Sequence, residues 1–481
     1  MSATRPALPS GLVAFVKREC PTCELVAPVL AELARVHALT IYSQDDPRFP
    51  DGVPGVFDDR SLEQSWHHRI EIVPTLLRVE AGVERERAQG WQREEWEALA
   101  GVRGLGAGLP GWRPGCGSLA VDPARAPELA VRYGASRLRA RRIELAPLED
   151  EIEALFERGF TDGLPVVPPT ERRVLAMLEG TRRDPQQIVA VVPPDLVPCT
   201  VEKVAINAVM AGCLPEQLPV VLAALEAACT DAFNIHGVLA TTMPVGPVLI
   251  VNGPIRRELG MGSGRNVFGQ GNRANLAIGR ALQLVIRNVG GGRPGEVDRA
   301  THGNPGKLSF CFAEDEEGSP WEPLPVSLGA PPGADCVTLF AGEGPRCIVD
   351  QQSRSPESLA RSFAANLRTL HHPKSVLAFD CILAVGPEHA RLFREAGWSR
   401  EKLAGRLHEL LQIPGDELVC GAGGIEAGMP ESVAAKTLPK FRPGGILIVH
   451  CGGRAGLFSA MIGGWANGAM GSQPVWKEIE R

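Results

Sequence analysis

The tetrapeptide Cys20-Pro-Thr-Cys23 constrains this chain more than any other feature. It follows at once on a short apolar run, Gly11–Lys17 (GLVAFVK). Beyond it, apolar residues recur at Leu25, Val26, Val29, Leu30 and Leu33. The run reads as a strand and the spacing as a helix. Two cysteines at a strand-to-helix junction have a specific chemical use. A helix N-terminus offers partial positive charge and free N–H groups, and both favour a thiolate. Cys20 is therefore expected to be the exposed nucleophile, and Cys23, one turn deeper, the thiol that resolves a mixed disulfide. Pro21 pre-sets the turn between them. A zinc half-site or a pair of inert buried thiols is the other reading; the zinc site needs a second ligand pair, and the nearby candidate is His67-His68.

The surrounding elements follow in a definite order. Ala38–Ser43 reads as a strand and Ser61–Arg69 as a helix. Thr75–Glu80 and Val83–Gln89 flank the turn Ala81-Gly82 as a hairpin, and Gln92–Ala100 closes the segment as a helix. Pro28 falls inside the first helix, where it is expected to cause a kink, and Pro74 stands just before a strand. The Cys-Pro-Thr-Cys motif, Pro28, Pro74 and the element order together resemble the thioredoxin superfamily over roughly residues 10–100. The resemblance implies a thioredoxin-like domain over 1–103 and a redox-active disulfide between Cys20 and Cys23. It also implies a cis-proline at Pro74 against the cysteine pair. A cellular thiol reductase is a partner to expect. One departure is Glu19, where the family commonly has Trp. Its carboxylate is expected to raise the pKa of Cys20, with Lys17 and Arg18 opposing. The redox direction stays open.

Residues 101–125 are rich in Gly and Pro, and 104–144 reads as a linker. Within it, Arg113-Pro-Gly-Cys-Gly-Ser118 places Cys116 on a glycine-rich turn. One reading makes Cys116 a mobile catalytic thiol that shuttles between Cys20/Cys23 and the rest of the chain. The other makes it an incidental loop cysteine.

A chain of 481 residues is expected to hold two to four domains. Its net charge of −6, with both signs scattered, argues against a nucleic-acid or anionic-membrane surface. Met1–Ser10 has no apolar stretch of the kind a secretory signal needs, and the longest apolar runs, such as Pro244–Val251, are too short to span a bilayer. Twelve cysteines without framework spacing read as mostly reduced thiols, so a cytoplasmic location is expected.

From 145 to 481 the pattern is that of a large α/β domain with long Gly/Pro-rich loops, and a division near 330 is open. Strands are expected at Gln187–Val192, Gly246–Asn252, Cys336–Phe340, Ser375–Val385 and Gly445–His450. Helices are expected at roughly 145–158 and over Thr200–Gly212, Pro215–Cys229 and Ala274–Asn288, with Thr200 as an N-cap. The stretch Asn252–Asn288 carries Gly260, Gly262, Gly264, Gly269 and Gly271 interleaved with basic and amide residues. Glycines allow close backbone approach, and N–H groups at a helix start favour an anion. Arg265, Asn266, Gly269, Gly271, Arg273 and Asn275 are thus candidates for binding a small anionic substrate. The alternative is a structural loop whose arginines pair with Glu258 or Asp298. Gly269-x-Gly271-x-x-Ala274 formally fits a dinucleotide fingerprint, but no strand leads directly into it.

Asp298, His302 and Glu314–Glu317 could bind a metal ion or serve as acid–base groups, or form a solvated face or a cap to nearby arginines. Gly159–Thr170 is a rigid proline loop with Asp162. His450-Cys-Gly-Gly-Arg454 ends an apolar strand, which makes Cys451 a candidate catalytic thiol. A close-packed glycine turn with a buried thiol is the alternative there.

The phrases DGLPVVPPT, TVEKVAINAVMAGC, GQGNRANLAIGRA, NPGKLSFCFAEDEEGSPWEP and GGRAGLFSAMIGGW resemble uncharacterised bacterial UGSC-like (seleno)proteins. That resemblance implies a link to redox chemistry and assigns no catalytic residue. The expectation is a thiol-dependent redox enzyme whose CxxC head exchanges electrons with the large domain. Tethering would raise the local dithiol concentration to about the millimolar range. The alternative is a thiol protein that binds or detoxifies a soft metal or metalloid such as Cu, Hg or As. A homo-oligomer is open.

Overall fold

The run LVAFV of Leu12–Val16 is buried along its whole length, so it can form only an interior strand. In the computed structural model, which describes residues 6–134, 138–146 and 148–481, it lies in β1 (Gly11–Val16). There follow α1 (Pro21–Val36), β2 (Leu39–Ser43), β3 (Val56–Asp58), α2 (Glu63–His67), β4 (Ile72–Val73), β5 (Thr75–Glu80) and β6 (Val83–Gln89). Next come β7 (Trp91–Gln92), α3 (Arg93–Ala100), β8 (Trp112–Arg113), β9 (Cys116–Gly117) and α4 (Ala126–Tyr133). The main sheet has the order β3-β2-β1-β5-β6, with β1 parallel to β2 and antiparallel to β5. Helix α1 buries Val26, Val29, Leu30 and Leu33, an i, i+3, i+4, i+7 stripe, against the same core. Pro21 occupies its first turn, where the missing N–H costs nothing. Pro28 lies inside the helix.

The first compact unit runs over Met1–Arg137 and the second over Leu138–Arg481. The segment read as a linker from 104 is therefore built into the first unit as far as it is described. β8 pairs with β7 and β9 with β4, so residues 112–117 supply partners for two short strands that would otherwise stand open. Further on, Ala120 and Leu129 pack with Leu62, and the Tyr133 hydroxyl donates to the Ser61 carbonyl at 3.1 Å.

The second unit begins with α5 (Glu151–Glu157), α6 (Glu171–Leu178) and the hairpin β10 (Ile188–Val192)–β11 (Val197–Thr200). Helices α7 (Val201–Ala211), α8 (Leu218–Ala228) and α9 (Ile235–Ala240) precede β12 (Gly246–Asn252), α10 (Ile255–Glu258), α11 (Arg273–Asn288) and β13 (Cys311–Ala313). Then come α12 (Leu324–Ser327), β14 (Cys336–Gly342), β15 (Arg346–Val349), α13 (Pro356–Arg368), β16 (Phe379–Val385), α14 (Pro387–Glu395) and α15 (Arg400–Leu410). The unit ends with β17 (Gln412–Pro414), α16 (Gly415–Leu418), β18 (Thr437–Pro439), β19 (Ile446–His450), β20 (Phe458–Ala466) and β21 (Val475–Glu478).

Its main sheet has the order β13-β12-β14-β20-β16-β19. The wiring repeats. β12 has β13 as a parallel neighbour and β14 as an antiparallel one; β16 has β19 and β20 in the same roles. The next strands cross over reciprocally, β15 pairing with β20 and β21 with β14. No boundary falls near 330, because β12 and β13 before it and β14 after it share one sheet. Alternation along the strands explains the burial on both faces. Leu249 and Val251 of β12 join a core with α7, α8 and α11, while Val248 and Ile250 join Ile382, Ala384, Val449 and Ile462. Among the described residues, no helix is long and apolar enough to cross a membrane.

The 159–170 loop is fastened to α11. Arg280 donates to both Asp162 oxygens at 2.7 and 2.8 Å, and to the Pro165 carbonyl at 3.0 Å. Burial pushes the Asp162 carboxyl up, but Arg280 outweighs it and holds the group below its usual range. A depressed carboxylate contributes stability above the ordinary carboxylate range and loses it as pH falls through its folded value. Arg280→Met should destabilise the second unit by about 2 kcal/mol at neutral pH, and by less in acid. Urea unfolding of the full chain at the two pH values checks this.

Candidate functional site

β1 delivers the chain to Cys20, which caps α1 in an extended conformation (φ −125°, ψ 114°). Its sulfur accepts the Cys23 N–H at 3.4 Å and lies 3.5 Å from the Val73 carbonyl oxygen. The Val73–Pro74 peptide bond is cis. The Cys23 thiol donates to Cys20 and is the largest influence pulling its pKa down to about 5. Burial opposes this. The Cys116 thiol and the N–H groups of Cys23 and Thr22 reinforce it. Cys23 moves the other way: burial drives its thiol far up, and the neighbouring Cys20 adds to the shift. Glu19 is not among the leading influences on Cys20. Its backbone N–H and that of Arg18 are tied to Asp45, and the Arg18 guanidinium is spent on Asp46 and Asp51.

The structure departs from the sequence reading in where the thiols face. Cys20 has 0% relative exposure, as does Cys23. Cys116 is half-buried. The cover over Cys20 is the segment 114–118, and it is anchored along its length. Thr22 donates to the Pro114 carbonyl at 2.7 Å, and Lys17 Nζ to the Gly117 carbonyl at 2.8 Å. Val73 and Cys116 are register partners, and Gln44 Nε2 donates to Ser118 Oγ at 2.7 Å. Gly115 makes the fit possible, because a Cβ there would run into Ile72 Cγ2 and stand 2.8 Å from the Val73 oxygen. Cys116 is thus a fixed part of the first unit and not a swinging thiol. Its pKa is raised, by burial first and then by Cys20. The sequence gives Lys17 only as a charge near Cys20 and Gly115 only as part of a glycine-rich turn, and it carries no signal that Thr22, Lys17 and Gly115 together hold the cover.

In the second unit two stretches noted separately prove to be neighbours. The outermost strands of the sheet meet at their carboxyl ends, where Asp315 N donates to the His450 carbonyl at 2.8 Å. Gly452 N donates to the Ser263 carbonyl at 2.9 Å, and a Cβ on Gly453 would lie 3.5 Å from Arg265 Cα. Arg265, Asn266 and Arg454 are exposed there. The other proposed ligand groups are engaged elsewhere. Arg273 Nε donates to the Gly212 carbonyl at 2.9 Å. Asn275 clamps Gly262, accepting its N–H at 3.0 Å and donating to its carbonyl at 2.9 Å. Gly269 sits against the Asn266 side chain, and Gly271 has a positive φ of 114° in open space. Glu258 and Asp298 do not serve these arginines: they pair with Arg481 and Lys307.

Cys451 does not fit the role of a catalytic thiol. It is buried in the core with Val449 and Ile382, and burial raises its pKa, with Glu314 and Asp315 adding to the rise. His450 turns away from it, its Nδ1 lying 3.0 Å from the Val385 carbonyl oxygen. Glu314 is no solvated residue either. It is fully buried, and its Oε2 accepts from Asn252 Nδ2 at 2.7 Å and from Leu324 N at 2.8 Å. Glu316 and Glu317 pair with Arg256, in keeping with the arginine reading of that run. Among the described residues, no group of three or more His, Cys, Asp or Glu is arranged to hold a metal ion.

Two outcomes follow from these environments. Thiolate ultraviolet absorbance should show a group titrating near pH 5 that is missing in Cys20→Ala, and Cys116→Ala should raise that midpoint by removing a donor. With iodoacetamide on the folded chain, exposed Cys347 and Cys420 should be alkylated while Cys451 is spared, as peptide mapping will read. No family model, curated protein or solved structure matches the chain.

Proposed function

We propose that the first unit is a thioredoxin-like thiol–disulfide exchange module, and that the chain is a thiol-dependent redox enzyme whose second unit acts on a small anionic substrate. One observation carries this reading: the Cys20 sulfur caps the N-terminus of α1 and accepts the Cys23 N–H at 3.4 Å, a setting whose donors pull its pKa down. A low-pKa thiol beside a high-pKa one is the division a dithiol needs, since one sulfur leaves or attacks as thiolate while the other keeps its proton. The strand order, with β1 leading into α1 and the hairpin β5–β6 on one side, supports the fold assignment. For the second unit the support is Arg265 and Arg454, exposed on abutting glycine-rich loops, because arginines offer paired donors to a carboxylate or phosphate. A reducing cytoplasm suits the twelve cysteines, all of them free thiols in this structure.

The test is equilibration of the full chain in glutathione buffers of stepped redox ratio, with acid quenching and peptide mapping. A Cys20–Cys23 disulfide should appear and disappear as a two-electron couple, and Cys20→Ala and Cys23→Ala should abolish it. Absence of that disulfide at every ratio would sink the reading.

A further inference from the structure

The thiol centre contains three sulfurs, and the arrangement differs from a two-cysteine site in one respect. Neither Cys20 nor Cys23 reaches solvent; each has 0% relative exposure. Cys116 is the half-buried member. It stands opposite Val73, whose carbonyl oxygen is 3.5 Å from the Cys20 sulfur, and its own thiol is within hydrogen-bonding reach of that sulfur. The covering segment is held by Thr22, Lys17, Gln44 and the β4 backbone, so it is a wall of the site and not a flap. A disulfide arriving from outside meets Cys116 before it can meet Cys20.

We propose that Cys116 is the surface thiol through which the Cys20–Cys23 pair exchanges electrons with outside disulfides of small molecules. The inference rests on the thiol–disulfide reading above and names the group that faces the substrate. In the reducing direction, Cys116 gives its proton to water, and its thiolate attacks a disulfide R–S–S–R′. A Cys116–S–S–R bond forms and R′–S⁻ leaves. Cys20, as thiolate, then attacks the Cys116 sulfur, forming Cys20–S–S–Cys116 and releasing R–S⁻. Cys23 attacks Cys20, the Cys20–Cys23 disulfide forms, and Cys116 departs as thiolate and takes up the Cys23 proton. In sum, R–S–S–R′ gains two electrons and leaves as two thiolates that take protons from water as their pKa requires, and the Cys20–Cys23 pair loses the two electrons. The reverse sequence oxidises small thiols. Small disulfides are the substrate class because β9 already occupies the β4 edge, which leaves an extended peptide no backbone to pair with there.

Hydroxyethyl disulfide, added to the reduced full-length chain, tests this with peptide mapping after acid quenching. The unmodified chain should accumulate the Cys20–Cys23 disulfide. Cys116→Ala should do so at least about tenfold more slowly, because its remaining pair is enclosed. Cys23→Ala should stop at a Cys20–Cys116 disulfide, and Cys20→Ala should hold a mercaptoethanol adduct on Cys116. The two trapped species keep the test decisive if shortening residue 116 itself opens a path to Cys20. Oxidation of Cys116→Ala at the unmodified rate, together with no adduct on Cys116 in Cys20→Ala, overturns the proposal while leaving the Cys20–Cys23 couple intact. Failure of the unmodified chain to form Cys20–Cys23 overturns the underlying redox reading instead.

Discussion

The pairing of Cys116–Gly117 with Ile72–Val73 is the contact on which the character of the first unit depends. It is a two-residue ladder, small by itself, but it brings a third sulfur to Cys20 and shuts the pair from water. Its existence turns on residues without side chains. Gly115 faces Ile72 and Val73 where a Cβ has no room, and Gly90 presents its own backbone to the Gly115 amide. The short ladder is then locked by a hydroxyl at Thr22 and an ammonium at Lys17, both donating to carbonyls of the covering segment. Burial would ordinarily disfavour a thiolate at Cys20. The donors around the sulfur win because they are fixed and several, and no carboxylate ranks with them.

The same residue type meets the opposite fate in the second unit. Cys213, Cys311, Cys381 and Cys451 are buried, with no helix start to receive them, and burial is the main cause that drives each thiol up. At Cys451 two carboxylates deepen the effect. Thiol chemistry in this chain is therefore decided by the donors each sulfur meets, and neither the count of cysteines nor adjacency to a histidine predicts it. His450 immediately precedes Cys451, but neighbours in an extended chain face apart, and His450 satisfies itself on the Val385 carbonyl.

Legibility in the sequence follows the range of the interaction. Local periodicity placed β1, α1, β2, the β5–β6 hairpin, α3, α7, α11, β14 and β19 within a few residues, because apolar spacing reports a buried face directly. Thr200 caps α7 as its type suggests, accepting the Lys203 N–H at 3.3 Å. Glu202 shows where such reasoning stops. A first-turn acid reads as a helix-dipole group, yet it is buried and gathers the N–H groups of Arg139 and Ala140 and the Gln186 amide. The 104–144 segment reads as linker for a similar reason. Gly and Pro mark irregular backbone, but they do not say whether that backbone is free or pressed against a strand edge. Cys20 was misplaced in exposure because the wall that covers it is far along the chain.

The repeated wiring of the second unit accounts for why its two glycine-rich loops meet. β12 and β13 run in one direction and reach β14, and β16 and β19 do the same towards β20, with the two sets joined through Gly342 and Gly464. Both sets press side chains into one shared core, Val248 and Ile250 from the first, Ile382, Ala384 and Val449 from the second. Wrapped on that core, the two edge strands approach each other at their carboxyl ends, where the Asp315 to His450 bond joins them. Loops that follow β12 and β19 must then converge at that seam. In α/β sheets the carboxyl ends of parallel strands are where ligands are usually received, since loop backbone and helix starts gather there. The inward-facing acids at this seam are already engaged, Glu314 by the Asn252 amide and Glu316 by the Arg256 guanidinium. The outward-facing groups are Arg265 and Arg454. The exposed charge at this seam is therefore basic and lies on the loops, above the buried Cys451 thiol.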